Sequence, residues 1–205
     1  MAKEAVRETT ILLVRHGELG ARVPGDPGLS MRGRELAKLT ADFVRGRKPT
    51  HIFSSPLRRS LETAEIMGHE LGLAVESDER LRERANWGDV EGQSLRDFIE
   101  QWERSSHDRD FRPLGGISAR EAGERLGDFV FEVAENFPSE TTVAVSHGGV
   151  IVDFLLNMKS LEELEKANPE YRDMTYCSIT GIRVVANNVT LTCLADAGHL
   201  KPDLR

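Results

Sequence analysis

Three short apolar runs each lead into side chains able to handle a phosphate. Ile11-Leu12-Leu13-Val14 runs into Arg15-His16-Gly17-Glu18. His51-Ile52-Phe53 runs through a Ser54-Ser55-Pro56 turn to Leu57 and Arg58. Val143-Ala144-Val145 runs through Ser146 into His147-Gly148-Gly149. A phosphate monoester is a dianion near neutral pH and needs fixed positive charge. Arg15 and Arg58 each offer a planar fork of donors to its oxygens. The N–H groups of Gly148 and Gly149, at a helix start, add an anion-binding end. Phosphoryl transfer asks mainly for positioning and charge stabilisation. It also asks for a nucleophile, and a neutral imidazole serves by forming a phosphohistidine that water later cleaves. Two histidines allow one to attack while the other stays charged and binds phosphate oxygens. The leaving alkoxide needs a proton. Glu83, Asp89 and Glu91 are the carboxyl groups placed to give one.

These groups need elements that bring them together. Strand-like and helical runs alternate along the chain, which predicts crossover units and a mainly parallel sheet. Ligands bind such sheets outside the carboxyl ends of the strands, where all three polar clusters fall. The first strand is expected at about 10–15. Ser30 caps a helix with Leu36, Leu39, Thr40, Phe43 and Val44 on its apolar face, ended by Gly46 and Pro49. Ser55 is expected to cap the next helix, with Pro56 in its first position. A third strand is expected over Leu73–Val75. Residues from about 80 to 116 read as an irregular polar cap carrying Trp87, Trp102 and several arginines. Ser118 and Glu121 form a capping box opening a further helix, which Pro138 terminates. A strand over 142–145, a helix over 149–158 and two strands over 178–185 and 189–195 follow. Asn187-Asn188 supplies the hairpin turn between those strands.

The 205 residues fit one domain over 1–205, with the cap inside it. With 39% hydrophobic and 30% charged residues, the composition is that of a soluble globular chain. A net charge of −7 argues against a nucleic-acid backbone as partner. It leaves a phosphate ligand open, because a local arginine cluster sets the field in a pocket. No apolar run reaches membrane-spanning length, and Met1–Ala5 has no apolar signal core, so a cytoplasmic location is expected. Cys177 and Cys193 read as reduced core residues. His51, His69, His107 and His199 show no metal-ligand spacing and read as structural or exposed. Trp87 and Trp102 read as packing within the cap.

The motifs in order resemble the histidine phosphatase superfamily, the phosphoglycerate mutase-like proteins. Arg15-His16-Gly17-Glu18 is similar to its signature, and Asp26 to Gly33 to its turn into the first helix. Ser54 to Ala64 resembles its second-arginine motif, and Leu81-Arg82-Glu83 with Trp87-Gly88 and Glu91-Gly92 its proton-donor segment. Ser146 to Gly149 is similar to its second-histidine motif, and Asp196 to Leu200 to a common ending. The resemblance implies a three-layer α/β/α sandwich and a phosphatase acting on a small phosphorylated molecule. It implies His16 as the phosphorylated nucleophile, with Arg15, Arg58 and His147 completing the phosphate pocket. Glu83 would be the proton donor, and no metal or organic cofactor is implied.

Two features depart from the pattern. Leu19 and Arg22 stand where the family often has a threonine or serine and an asparagine. Arg22 either supplies a further positive contact or points to solvent. Segment 93–116 does not align with the basic insert of the family's mutases, which favours hydrolysis. The rivals are a cofactor-dependent phosphoglycerate mutase, a phosphohistidine-protein phosphatase and a non-catalytic phosphate-binding module. No stripe announces an interface, and a homodimer through the final strands stays open.

Overall fold

The computed structural model describes residues 7–186 and 188–200, without the side chain of Asp173. One six-stranded sheet organises the chain. Its strands are β1 (Glu8–Arg15), β2 (His51–Ser54), β3 (Val75–Ser77), β4 (Thr141–Ser146), β5 (Ile179–Val185) and β6 (Asn188–Asp196). Their order is β3-β2-β4-β1-β5-β6. The pairs β2·β3, β2·β4 and β1·β4 are parallel, while β5 is antiparallel to both β1 and β6.

Strand alternation explains why both faces are covered. On β1, Leu12 and Val14 point to one side with Ile52 of β2 and Val143 and Val145 of β4. Ile11 and Leu13 point to the other with Phe53 and Ala144. Strands buried on both faces read as near-continuous apolar runs, and these do. Helices α1 (Met31–Arg45) and α2 (Arg58–Leu71) cover the first face with Ala41, Val44, Ala64 and Met67. Helices α4 (Ala119–Asn136) and α5 (Gly148–Met158) cover the second with Leu126, Phe129, Val130, Val150 and Phe154. The result is the α/β/α sandwich expected from the alternation of elements. A short helix, α6 (Leu161–Ala167), follows α5 under a Ser160–Glu163 capping box.

Several boundaries match the local signals. Ser30 Oγ accepts the Gly33 N–H at the start of α1, and the Ser118–Glu121 box opens α4. Others differ for physical reasons. Helix α2 begins at Arg58, two residues after Pro56. Ser55 Oγ accepts the Leu57 N–H and no N–H of the helix itself, and the Arg58 N–H donates to the Asp26 carboxylate, 2.9 Å from each oxygen. The capping acceptor thus lies 32 residues away in sequence. Strand β3 starts at Val75, because Gly72 closes α2 in the left-handed conformation (φ 72°) and Leu73 donates back to Gly68.

The segment expected to be irregular contains helix α3, Leu95–His107, capped by Ser94. Val185 pairs with Asn188, so Asn188, expected in the hairpin turn, already belongs to β6. Asn187 of the expected Asn-Asn turn lies outside the described residues, as do Met1–Ala5. Cys177 and Cys193 are free thiols, and burial pushes Cys177 up to about 12. Among the described residues no helix is long and apolar enough to cross a membrane.

Candidate active site

Strands β1 and β4 lie side by side at the centre of the sheet, with Arg15 level with Ser146. Each chain turns out of the sheet just there, so His16 and His147 emerge together. Their rings stand edge to face with centroids 5.1 Å apart. The His16 N–H donates to the Ser146 carbonyl at 2.9 Å, which locks the two turns to each other. A cleft of about 830 Å³ opens over these ends, lined by Arg15, His16, Arg22, Arg59, Glu83, His147 and Gly148. Trp102 and His107 of α3, Asp153 of α5 and Arg172 also line it.

The geometry of His16 fixes its tautomer. Nδ1 lies 2.8 Å from the Gly17 carbonyl oxygen, which can only accept, so Nδ1 carries the proton. The neutral ring therefore keeps its lone pair on Nε2. Burial, then Arg59 and Arg15, hold the His16 pKa well below its usual 6.5. The ring is neutral at pH 7. Gly17 can sit here because the loop passes very close to α1, where a Cβ on Gly17 would come within 2.7 Å of the Gly33 carbonyl oxygen.

His147 is held by α2 and the turn before it. Its Nε2 is 2.8 Å from Ser55 Oγ and 3.3 Å from Ser60 Oγ, and Nδ1 has no protein partner. The expectation of a permanently charged second histidine is not met in the free cleft. Burial, helped by Arg59, His16 and Arg15, lowers its pKa well below 6.5. A bound phosphate dianion supplies the opposite charge that favours protonation.

Arg15 lies beside Gly148, its guanidinium 4.3 Å from the Tyr176 ring centroid and bonded to the Met174 carbonyl. The structure does not bring Arg58 to the cleft. Its side chain is 63% exposed and its Nε pairs with Glu62 at 2.7 Å, one helical turn along. The neighbouring Arg59 takes the place. It is 7% exposed, lines the cleft and is steadied by Asn86 Oδ1 at 3.0 Å. On α2 the buried face carries Arg59, Thr63 and Met67, and Arg58 falls on the solvent face. That periodicity was the signal separating the two arginines in the sequence.

Glu83 is buried at the cleft wall. Oε1 accepts the Arg84 N–H at 2.9 Å and Oε2 the Gly149 N–H at 3.0 Å. Each oxygen keeps a second lone pair able to carry a proton. The Gly149 N–H is therefore engaged by Glu83 and not directed at a ligand. A Cβ on Gly149 would lie 2.6–2.7 Å from Trp102 and both Glu83 oxygens, so only glycine fits. Arg22 is exposed on the rim. Glu18 points away to Ser30 and Arg32, at 2.8 and 2.9 Å. Asp89 pairs with Arg82 at 2.8 Å, and neither Asp89 nor Glu91 lines the cleft. Residues not anticipated from the sequence here are Arg59, Ser55, Ser60, Arg84, His107, Asp153 and Arg172. Trp102, expected as cap packing, also faces the cleft. Among the described residues no cluster of His, Cys, Asp or Glu could hold a metal ion.

The model of the histidine phosphatase superfamily, branch 1, matches residues 11–197. The chain belongs to that family. A phosphoglycerate mutase-like protein of Arabidopsis thaliana is 30% identical over 97% of this chain and 90% of its own length. A glucosyl-3-phosphoglycerate phosphatase of Mycobacterium tuberculosis is 31% identical over 71% of this chain and 73% of its own. The solved structure of a mycobacterial glucosyl-3-phosphoglycerate phosphatase in complex with VO3 superposes with a TM-score of 0.71. It shares 27% identity over 93% of this chain and all of that one.

Two neutral buried histidines leave a thermodynamic mark. Their folded pKa values lie below the unfolded value of 6.5, so the unfolded chain binds more protons between those limits. Their contribution to stability is whole above pH 6.5 and is lost as pH falls through the folded values. Asp153, which burial raises to about 7, works in the opposite sense. Comparison with a His16→Asn/His147→Asn chain cancels that contribution. In urea unfolding at pH 8 and pH 5.5, the native chain should lose stability relative to the variant. The slope expected is up to about 1.4 kcal/mol per pH unit for each histidine. An unchanged difference would mean that the two rings take up protons in the folded chain as they do in the unfolded one.

Proposed function

We propose that this chain is a phosphatase that hydrolyses the phosphate monoester of a small molecule through a phosphohistidine on His16. The observation that carries the reading is the His16 tautomer, with Nδ1 bonded to the Gly17 carbonyl and the Nε2 lone pair left for attack. Nε2 attacks phosphorus while Arg15, Arg59 and His147 bind the phosphate oxygens. Glu83 gives its proton to the departing oxygen, which leaves as an alcohol. The Glu83 carboxylate then takes a proton from water as that water attacks the phosphohistidine. Phosphate leaves, and both side chains return to their starting states. The cleft volume suits a small organic leaving group.

Phosphatase relatives support hydrolysis over a pure binding role. The phosphoglycerate mutase-like relative keeps phosphate return to substrate as the second reading. The test is phosphate release from p-nitrophenyl phosphate and a panel of natural monoesters, in EDTA. Glucosyl-3-phosphoglycerate, phosphoserine and 3-phosphoglycerate belong in the panel, the last also with a bisphosphoglycerate primer. Release in EDTA, with a base-stable, acid-labile phosphoenzyme, is the expected result. Isomerisation of primed 3-phosphoglycerate without net release would make it a mutase, and inertness toward every ester would overturn catalysis.

A further inference from the structure

Behind Glu83 lies an ion pair that the reaction scheme leaves unused. The Arg84 guanidinium places Nη1 2.9 Å from both Asp153 oxygens, and each side chain is only 3% exposed. Arg84 Nη2 donates to Ser106 Oγ at 2.5 Å, and its guanidinium carbon lies 3.7 Å from the Trp102 ring centroid. Arg109 adds a bond to the Asp153 carbonyl at 2.8 Å. Taking two charges out of water is costly, and apolar residues of similar shape often serve stability as well or better. A pair this deeply buried beside a carboxyl group in the cleft calls for a role other than stability.

The register supplies one. Gly149 and Asp153 are four residues apart on α5 and so share a face. Gly149 holds the Glu83 carboxyl group through its N–H, and Asp153 holds the next side chain, Arg84. The Arg84 N–H itself bonds to Glu83 Oε1, and the Arg84 carbonyl accepts the Ile117 N–H at 3.0 Å. The dipeptide is thus pinned at two points on one helix. Through Ser106 and Trp102 the same guanidinium ties α3 over the cleft.

We propose that Arg84, through its buried pair with Asp153, is a positioning residue that holds the Glu83 carboxyl group over the leaving oxygen. The proposal rests on Glu83 being the proton donor. A misplacement of about 1 Å in such a group costs on the order of 100-fold in rate. The cost should depend on the leaving group. An alkoxide needs its proton, whereas p-nitrophenolate departs without one. A structural lesion would slow both alike.

The experiment measures kcat/KM, which covers the steps up to leaving-group departure, for p-nitrophenyl phosphate and for the best alkyl ester of the panel. Arg84→Met/Asp153→Leu replaces the pair with apolar residues of similar length and leaves no lone buried charge. The alkyl ester should lose about 10–100-fold, with p-nitrophenyl phosphate changed less than about threefold. The inhibition constant of inorganic phosphate should stay put. Asp153→Asn, a milder change for use should the double variant not fold, should show the same selectivity at smaller size. Arg84→Lys, which keeps the charge without the fork, should fall between. Equal losses on both esters, or none on either, would overturn the proposal. Glu83→Gln run in parallel separates the two ideas. If it too lacks ester selectivity, the proton-donor reading fails. If Glu83→Gln is selective and the pair variants are not, only the role of Arg84 fails.

Discussion

Replacing His16 with alanine is expected to lower kcat for phosphate release by about 10⁴-fold or more, the scale seen when a covalent nucleophile is removed. The loss should fall on chemistry and not on binding. Arg15, Arg59 and His147 remain around the emptied position, so inorganic phosphate should inhibit, or bind in calorimetry, about as tightly as in the native chain. The His147 ring is held with its Nε2 on the Ser55 and Ser60 hydroxyls, and it stands 5.1 Å from the ring of His16. No phosphoenzyme should form from any ester. A variant that keeps more than about a hundredth of the native rate would indicate direct attack by water, with the pocket acting only by charge and position.

The parts of this site that follow from local rules were legible in the chain. Apolar runs at 11–14 and 143–145 are strands buried on both faces, and their ends deliver Arg15, His16 and His147. The Ser30 and Ser118 caps are local hydrogen bonds and fall where the spacing puts them. What failed depended on distant partners or on choosing between periods. Helix α2 starts at Arg58 because its first free N–H finds Asp26, a partner that no window around residue 58 contains. Helix α3 has Leu95, Phe98, Ile99 and Trp102 at helical spacing, but its only buried residue is Ser105. Its apolar stripe faces the cleft and solvent instead of a core, so the polar composition of the stretch masks it. The wall behind Glu83 draws on segments far apart in the chain, Arg84 and Asp153 being separated by 69 residues. Each looks alone like a solvated charge.

The positive charge of Arg59 is buried in the cleft, where its guanidinium meets an amide oxygen, with Asp26 3.9 Å away. Burial lowers the Arg59 pKa, against the pull of Glu83 and Asp26, although a guanidinium stays protonated at neutral pH. The fold thus holds a charge at some cost in stability, as anion sites commonly do. The incoming dianion would offset that cost, which is one reason a phosphate should bind well to a chain of negative net charge.

Arg59 and Arg58 give the sharpest contrast available in adjacent residues. Arg59→Ala is expected to lower kcat/KM by about 10²–10³-fold, roughly 3–4 kcal/mol, the range found when a preorganised donor to a developing anion is removed. Folding should not suffer in proportion, because a desolvated cation leaves with the side chain, and the melting temperature should hold or rise. Arg58→Ala removes an ion pair with Glu62 whose arginine is 63% exposed. Pairs of that kind, one helical turn apart at the surface, contribute roughly 0.5 kcal/mol or less. Glu62 keeps Arg34 at 2.7 Å and the Leu29 N–H at 3.0 Å, so little else moves. The effect of Arg58→Ala on kcat/KM should be less than about threefold. Arg59→Lys should recover only part of the loss, since an ammonium cannot offer two parallel donors to one phosphate. Steady-state kinetics on the best ester, with a thermal melt of each variant, decides the assignment. If Arg58→Ala were the crippled variant, α2 would have to sit rotated by about 100° when substrate is bound. Thr63 would then leave the Gly17 N–H it now accepts at 3.0 Å.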